Sequence, residues 1–255
     1  MQKWLRFERA GHTGFGQLTG DTVAVYAGDM YSDPQPTGQT LPLSELKVLI
    51  PTVPGKMLAI WNNFHALAAK LGLATPPEPL FFVKTANSFL ATGEIIRRPP
   101  SFDGKVVYEG ELGIVIGRRC RAVSAADAPQ YMFGYTCIND VTAADIIHRD
   151  PAFQQWSRAK SFDTFGVFGP VIATGLDPAT LSVRTVLNGQ ERQNYPVADM
   201  IFSPAELVSL ISRDMTLEPG DVICCGTSVG VGSMKPGSTV EISIDGIGTL
   251  SNRFE

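Results

Sequence analysis

The chain has 255 residues, 44 % of them hydrophobic and 18 % charged, a composition ordinary for a soluble globular protein able to bury a full-sized core. Its formal net charge of −4 argues against a nucleic-acid or anionic-membrane surface. No run approaches the roughly 18 apolar residues of a membrane span, and charges at Lys3, Arg6, Glu8 and Arg9 break up the start, so no signal peptide is expected.

Residues 1–50 read as a small N-terminal β unit: KWLRFE, then GFGQLTGDTVAVYAG, then a polar, proline-bearing loop SDPQPTGQT. Pro51 and Pro54 mark a boundary, and residues 51–255 form the second unit. KMLAIW (56–61) is a buried strand, and Phe64, Leu67, Ala68 and Leu71 follow at helical spacing with Gly72 to close the turn. PPEPLFFVKTANSFLA returns to extended structure, and VVYEGELGIVIG (106–117) is the next strand. SAADAPQYMFGY reads as a helix capped by Ser124, and YTCINDVTAADII runs from strand to helix with Thr142 and Asp145 in capping-box spacing.

Beyond residue 160 the pattern is mostly strand. Asn188-Gly189 is the strongest hairpin signal in the chain. SPAELVSLISRDM is an amphipathic helix with Ser203 as N-cap and Pro204 at its first position. Strands do not alternate regularly with helices, so the class is α+β, β-rich, and neither a Rossmann nor a TIM-type fold is expected. The four cysteines, Cys120, Cys137, Cys224 and Cys225, lack zinc-ligand spacing and read as reduced, buried thiols of a cytoplasmic protein.

Chemistry concentrates in a few places. Side chains two apart on a strand share a face, so Glu109 and Glu111 aim together while Tyr108, Leu112, Ile114 and Ile116 take the other side. Two like charges so placed repel unless a cation sits between them, and a hard divalent ion suits oxygen donors. A solvated strand surface explains the pair equally well until a third acid is added: Asp140 lies where a strand passes into a helix. Lys160 and Asp163 stand in RAKSFDTFGVFGP, either beside an anion or as exposed groups. The glycine-rich CGTSVGVGSMKPG fits neither a P-loop nor a dinucleotide fingerprint, yet its backbone N–H groups and Thr227 suit a carboxylate. Of three histidines, His12 and His148 are assigned no role, and no G-x-S-x-G motif supports a serine nucleophile.

The segments VVYEGELGIVIGRRCRAV, GYTCINDVTAADI, RAKSFDTFGVFGPVI, LNGQERQ, SPAELVSLIS, LEPGDVICCGTSVGVG and IDGIGTLSNRF, in that order, resemble the fumarylacetoacetate hydrolase family from about residue 56 to 254. The closer likeness is to its 2-hydroxyhepta-2,4-diene-1,7-dioate isomerase and 5-carboxymethyl-2-oxo-hex-3-ene-1,7-dioate decarboxylase branch. The N-terminal unit resembles that family's small leading domain. The resemblance implies a mixed β-sandwich/β-roll catalytic domain with few helices, and a homodimer. It further implies Mg²⁺ or Mn²⁺ held by Glu109, Glu111 and Asp140, with Lys160 beside the ion and Asp163 in its frame. Asn63 and the Gly226-Thr227 pair would meet a small 2-oxo acid substrate. Glu78 matches the family's acid–base glutamate.

Two departures bear on the reaction. Leu67 stands where many hydrolase members carry a catalytic histidine, and His65, two residues earlier, lies roughly 200° around a helix. The family's Gly-Thr-Pro appears as Gly226-Thr227-Ser228. The first departure favours decarboxylation or keto–enol isomerisation, which need no activated water. Acylpyruvate C–C hydrolysis with His65 as substitute base, and binding without turnover, are the alternatives.

Overall fold

Alternation in MLAIW sends Met57 and Ala59 to one face and Leu58 and Ile60 to the other, and all four are buried. A strand covered on both faces belongs inside a sheet. In the computed structural model, which describes residues Met1–Glu255, Met57–Trp61 lies within a twelve-stranded sheet. The sheet's path runs from Asp33–Pro42 through Thr22–Asp29, His12–Thr19, Gln2–Arg9, Gly166–Thr174, Met132–Asp140, Gly110–Ile116, Val222–Cys224 and Met57–Trp61 to the edge strand Leu80–Lys84. One face packs on a small core of Trp4, Met57, Val115, Ile138, Phe168 and Val222. The other faces the main core, including Leu58, Leu112, Ile114 and Val240. A five-stranded sheet built on the Asn188-Gly189 hairpin covers that core, and a three-stranded sheet joins Val106–Tyr108 to Thr142–Ala143 and Gly232–Ser233.

Four short α-helices complete the chain: α1 (His65–Leu71), α2 (Ala144–Ile147), α3 (Trp156–Lys160) and α4 (Pro204–Asp214). Gly72 closes α1 in the left-handed region, as its position predicts. On α4 Ser203 and Glu206 form a reciprocal capping box, while Leu207, Val208 and Ile211 face the core. No helix is long and apolar enough to cross a membrane.

Several expectations change. The polar segment 32–40 is strand from Asp33 onward; Pro34 and Pro36 are accommodated because the strand lies at the sheet edge. The strands of the N-terminal β unit join the large sheet, where Gln2–Trp4 pairs with Ile172–Thr174. No helix follows Ser124: Ser124 and Asp127 bond within a turn, a short 3₁₀ segment spans Ala128–Tyr131, and Met132 begins a strand. Pairing against Gly110–Ile116 and, from Tyr135, against Gly166–Thr174 overrides the local helical pattern there. Thr142 and Asp145 make no capping box, because Thr142 Oγ1 bonds to Glu109 and Asp145 accepts from the Lys105 N–H. Lastly, 106–117 is two strands that join different sheets, with Glu109 at the junction.

Candidate metal centre

The switch between sheets builds the site. Gly110 pairs with Asn139, the Asp140 N–H donates to the Glu109 carbonyl at 2.9 Å, and the Glu109 N–H donates to Asn139 Oδ1 at 3.1 Å. These bonds bring carboxylate oxygens of Glu109, Glu111 and Asp140 within 4.8 Å of one another. Glu111 and Asp140 are each 1 % exposed, whereas the Glu109 side chain keeps 12 %, so solvent reaches the cluster from its side.

Two lysines enter it. Lys160, the last residue of α3, places Nζ 2.8 Å from Glu109 Oε2 and 2.5 Å from Asp140 Oδ2. Lys84, at the end of the edge strand, places Nζ 2.5 Å from Asp140 Oδ1 and 2.5 Å from the Lys160 carbonyl. Lys84 thereby caps α3 and ties it to Asp140. A five-residue helix is marginal alone; at its other end Trp156 packs between Trp61 and Phe82, with centroids at 4.9 and 5.7 Å. Both anchors set where the Lys160 ammonium sits, 5.2 Å above the Phe82 ring.

Three acids against two lysines leave one negative charge uncompensated, and it falls on Glu111. No lysine touches Glu111; the only donor to it is the Gly226 N–H, 2.8 Å from Oε2. Burial, reinforced by the Asp140 charge, pushes the Glu111 carboxyl well above the usual range. Burial also raises Glu109, against the pull of Lys160. At Asp140 burial acts in the same sense, but Lys160 and Lys84 outweigh it and hold the carboxyl below its ordinary value. Lys160 loses solvation, yet the three acids keep its ammonium charged.

The donor chemistry fits a hard divalent cation. Every carboxylate supplies oxygen, and the three acids are joined by no cysteine or histidine. A divalent ion also supplies the positive charge that Glu111 lacks.

The five-stranded sheet holds the Glu-Gly-Glu backbone from behind. Gln193 Oε1 accepts from the Gly110 N–H at 3.0 Å and from Thr185 Oγ1 at 2.9 Å, and its Nε2 donates to Thr227 Oγ1 at 2.9 Å. Thr227 Oγ1 and the Tyr195 hydroxyl both donate to the Gly110 carbonyl, at 2.9 and 2.5 Å. A Cβ on residue 110 would lie 2.1 Å from Thr185 Oγ1, so only glycine fits between the two acids.

The other residues singled out in the sequence are placed as follows. Gly226 adopts φ 90°, turning the chain after Val222–Cys224 toward Glu111. The Thr227 hydroxyl is committed to Gly110, and its backbone N–H has no acceptor in the protein. Asn63 spans two segments, donating to the Cys225 and Phe202 carbonyls and accepting from the Phe202 N–H. Asp163 is exposed and accepts from Asn87 Nδ2 at 2.7 Å. His65 is exposed at the start of α1. Glu78 is exposed beside Phe81, Arg213 and Asp214. Neither His65 nor Glu78 makes a side-chain hydrogen bond or ion pair, and the structure does not bring them to the cluster. Sequence reasoning missed Lys84 and Gln193. A lysine closing the apolar run LFFV was the signal for the first; nothing local marks the second.

Residues 56–255 match the fumarylacetoacetate (FAA) hydrolase C-terminal model, and residues 2–51 match an N-terminal model described as Rv2993c-like. The chain belongs to the fumarylacetoacetate hydrolase family. The crystal structure of 2-hydroxyhepta-2,4-diene-1,7-dioate isomerase from Mycobacterium marinum superposes with TM-score 0.91 at 37 % identity, covering 100 % of this chain and 98 % of that one. Oxaloacetate tautomerase YisK of Bacillus subtilis is 37 % identical over 226 residues, 84 % of this chain and 74 % of that protein. The 4-hydroxyphenylacetate degradation bifunctional isomerase/decarboxylase of Salmonella dublin is 38 % identical over 203 residues, 78 % of this chain and 47 % of that protein. This family member is an enzyme, β-rich as expected, with relatives on the isomerase and decarboxylase branch.

Proposed function

We propose that this chain binds Mg²⁺, or Mn²⁺ in its place, through Glu109, Glu111 and Asp140, and catalyses keto–enol tautomerisation or decarboxylation of a small 2-oxo or 2-hydroxy-enoic acid. The observation that carries the reading is the charge imbalance: a buried three-carboxylate cluster with one acid unpaired, next to a turn of free backbone donors. When bound, the ion supplies positive charge that offsets the negative charge developing as a 2-oxo acid loses a proton or a carboxyl group.

The protein's own groups divide the remaining work. The turn after Gly226 offers N–H groups to the substrate carboxylate and fixes its orientation. The Lys160 ammonium, held between Glu109 and Asp140, presents a second positive charge to the reacting end and can hold or return a proton there. Glu109, the solvent-edge carboxylate, connects the cluster with water. Lys84 fixes Lys160 and Asp140 relative to each other. None of this requires an activated water, in keeping with Leu67 standing at the position where many hydrolase members carry histidine.

The test is an assay of oxaloacetate tautomerisation and decarboxylation, alongside acylpyruvates, with added Mg²⁺. Turnover of oxaloacetate-type acids that EDTA abolishes is expected. Acylpyruvate C–C cleavage without either reaction would contradict the reading. A role in aromatic-acid degradation, a cytoplasmic location, in keeping with four free, buried thiols, and a homodimer belong to the same proposal. The exposed edge strand Leu80–Lys84, with Leu80 and Val83 in solvent, suits pairing with a second copy, and light scattering reads the mass directly.

A further inference from the structure

The turn Gly226–Gly230 contains a group that neither the fold nor the carboxylate cluster uses. Ser228 is fully buried, at 0 % exposure, and its hydroxyl has no partner in the protein. A buried hydroxyl without a hydrogen bond works against folding, and Ser228 shares that state with only one other hydroxyl, Thr136 Oγ1, which lies inside the strand Met132–Asp140. The surroundings of Ser228 indicate a task. Gln193 Nε2 donates to the Ser228 and Val229 carbonyls at 3.3 and 3.4 Å. In a trans peptide the N–H points opposite its carbonyl, so the N–H groups of Val229 and Gly230 face away from Gln193, and neither has an acceptor. The Gly226 N–H ties the same turn to Glu111. The turn that carries the unpartnered Ser228 hydroxyl and the two unaccepted N–H groups is thus anchored to the carboxylate cluster two residues upstream, at Gly226.

Such a donor set suits an anion with two acceptor oxygens. We propose that the Ser228 hydroxyl donates a hydrogen bond to the carboxylate of the bound 2-oxo acid, making Ser228 a specificity-determining residue of this site. The proposal rests on the function proposed above. It assigns a ligand contact to the position where the family resemblance places proline, which has neither an O–H nor an N–H to offer.

Oxalate, a planar dicarboxylate, is the probe. Its affinity is measured calorimetrically for wild type and Ser228→Ala, each saturated with Mg²⁺, together with the melting temperature without oxalate. Ser228→Ala is expected to weaken oxalate by about tenfold or more, with Mg²⁺ affinity unchanged and the melting temperature the same or higher. Oxalate affinity within about twofold of wild type would overturn the assignment. A fall in melting temperature of more than about 4 °C would overturn it too, because the hydroxyl would then be serving the fold. Wild type that takes up no oxalate in Mg²⁺ would instead defeat the proposed function, and this inference with it.

Discussion

Buried charge appears at both ends of the strand Val222–Cys224, and the two ends differ. At the entry, Asp221 is 1 % exposed and fully satisfied: Oδ1 accepts from the Lys56 N–H at 3.0 Å, and Oδ2 accepts from Lys56 Nζ and from the Glu218 N–H. One acid meets one lysine, and the pair staples a turn to the neighbouring strand. Beyond the exit lie three acids and two lysines, and one acid is left with a single backbone donor. Equal burial thus accompanies opposite designs. Matched charge holds structure; unmatched charge is tolerated where a ligand completes it.

The comparison breaks most visibly under substitution. Asp140→Ala leaves Lys84 and Lys160 buried without their shared acid, and is expected to cost about 3–5 kcal/mol of stability along with all activity. Asp221→Ala is expected to cost less, about 1–3 kcal/mol, because the Lys56 side chain keeps 25 % exposure and reaches water, and to leave Mg²⁺ affinity intact. Glu111→Gln separates the two properties: activity falls by about 10³-fold or more, while the EDTA-treated variant melts no lower than wild type, because the removed charge had no lysine to lose. Denaturant titrations paired with initial rates check all three.

The pH dependence sharpens the contrast. Glu109 and Glu111 hold their protons above the unfolded value near 4.5. A carboxyl raised on folding stabilises the native state below that value, and the contribution is lost as pH climbs through the raised folded values. Metal-free protein should therefore lose stability as pH rises above about 4.5, and Mg²⁺ affinity should rise over the same window. Asp140 acts oppositely at lower pH, where its contribution disappears as pH falls below its ordinary 3.8. Melting curves across pH, with and without Mg²⁺, show whether the ion reverses the slope.

Two smaller effects follow. Gln193→Leu leaves the Gly110 N–H without its acceptor and Thr227 Oγ1 without its donor, and is expected to lower kcat/KM by about 10–100-fold with a smaller change in melting temperature. His65→Ala is expected to leave turnover within about twofold, since the imidazole is exposed and unbonded.

The acids themselves were legible in the chain because strand alternation and a strand end are local signals: Glu109 and Glu111 two apart, Asp140 where a strand stops. The Asn188-Gly189 hairpin and the Ser203–Pro204 helix start were legible for the same reason. Lys84 and Gln193 were not, since each reaches its partners through the order of strands across the sheets, 56 and 83 residues away in sequence. The strand beginning at Met132 was misread because its pairing with Gly110–Ile116 and Gly166–Thr174, rather than its local pattern, sets it. Thr227 was found, but its hydroxyl bonds to Gly110 rather than standing free.

The central claim is that the unpaired carboxylate marks a cation site. Calorimetric titration of Mg²⁺ into wild type and Glu111→Gln tests it most directly. One ion per chain in wild type, weakened about 100-fold or more in the variant, is the predicted result. Equal affinity in the two proteins would contradict it.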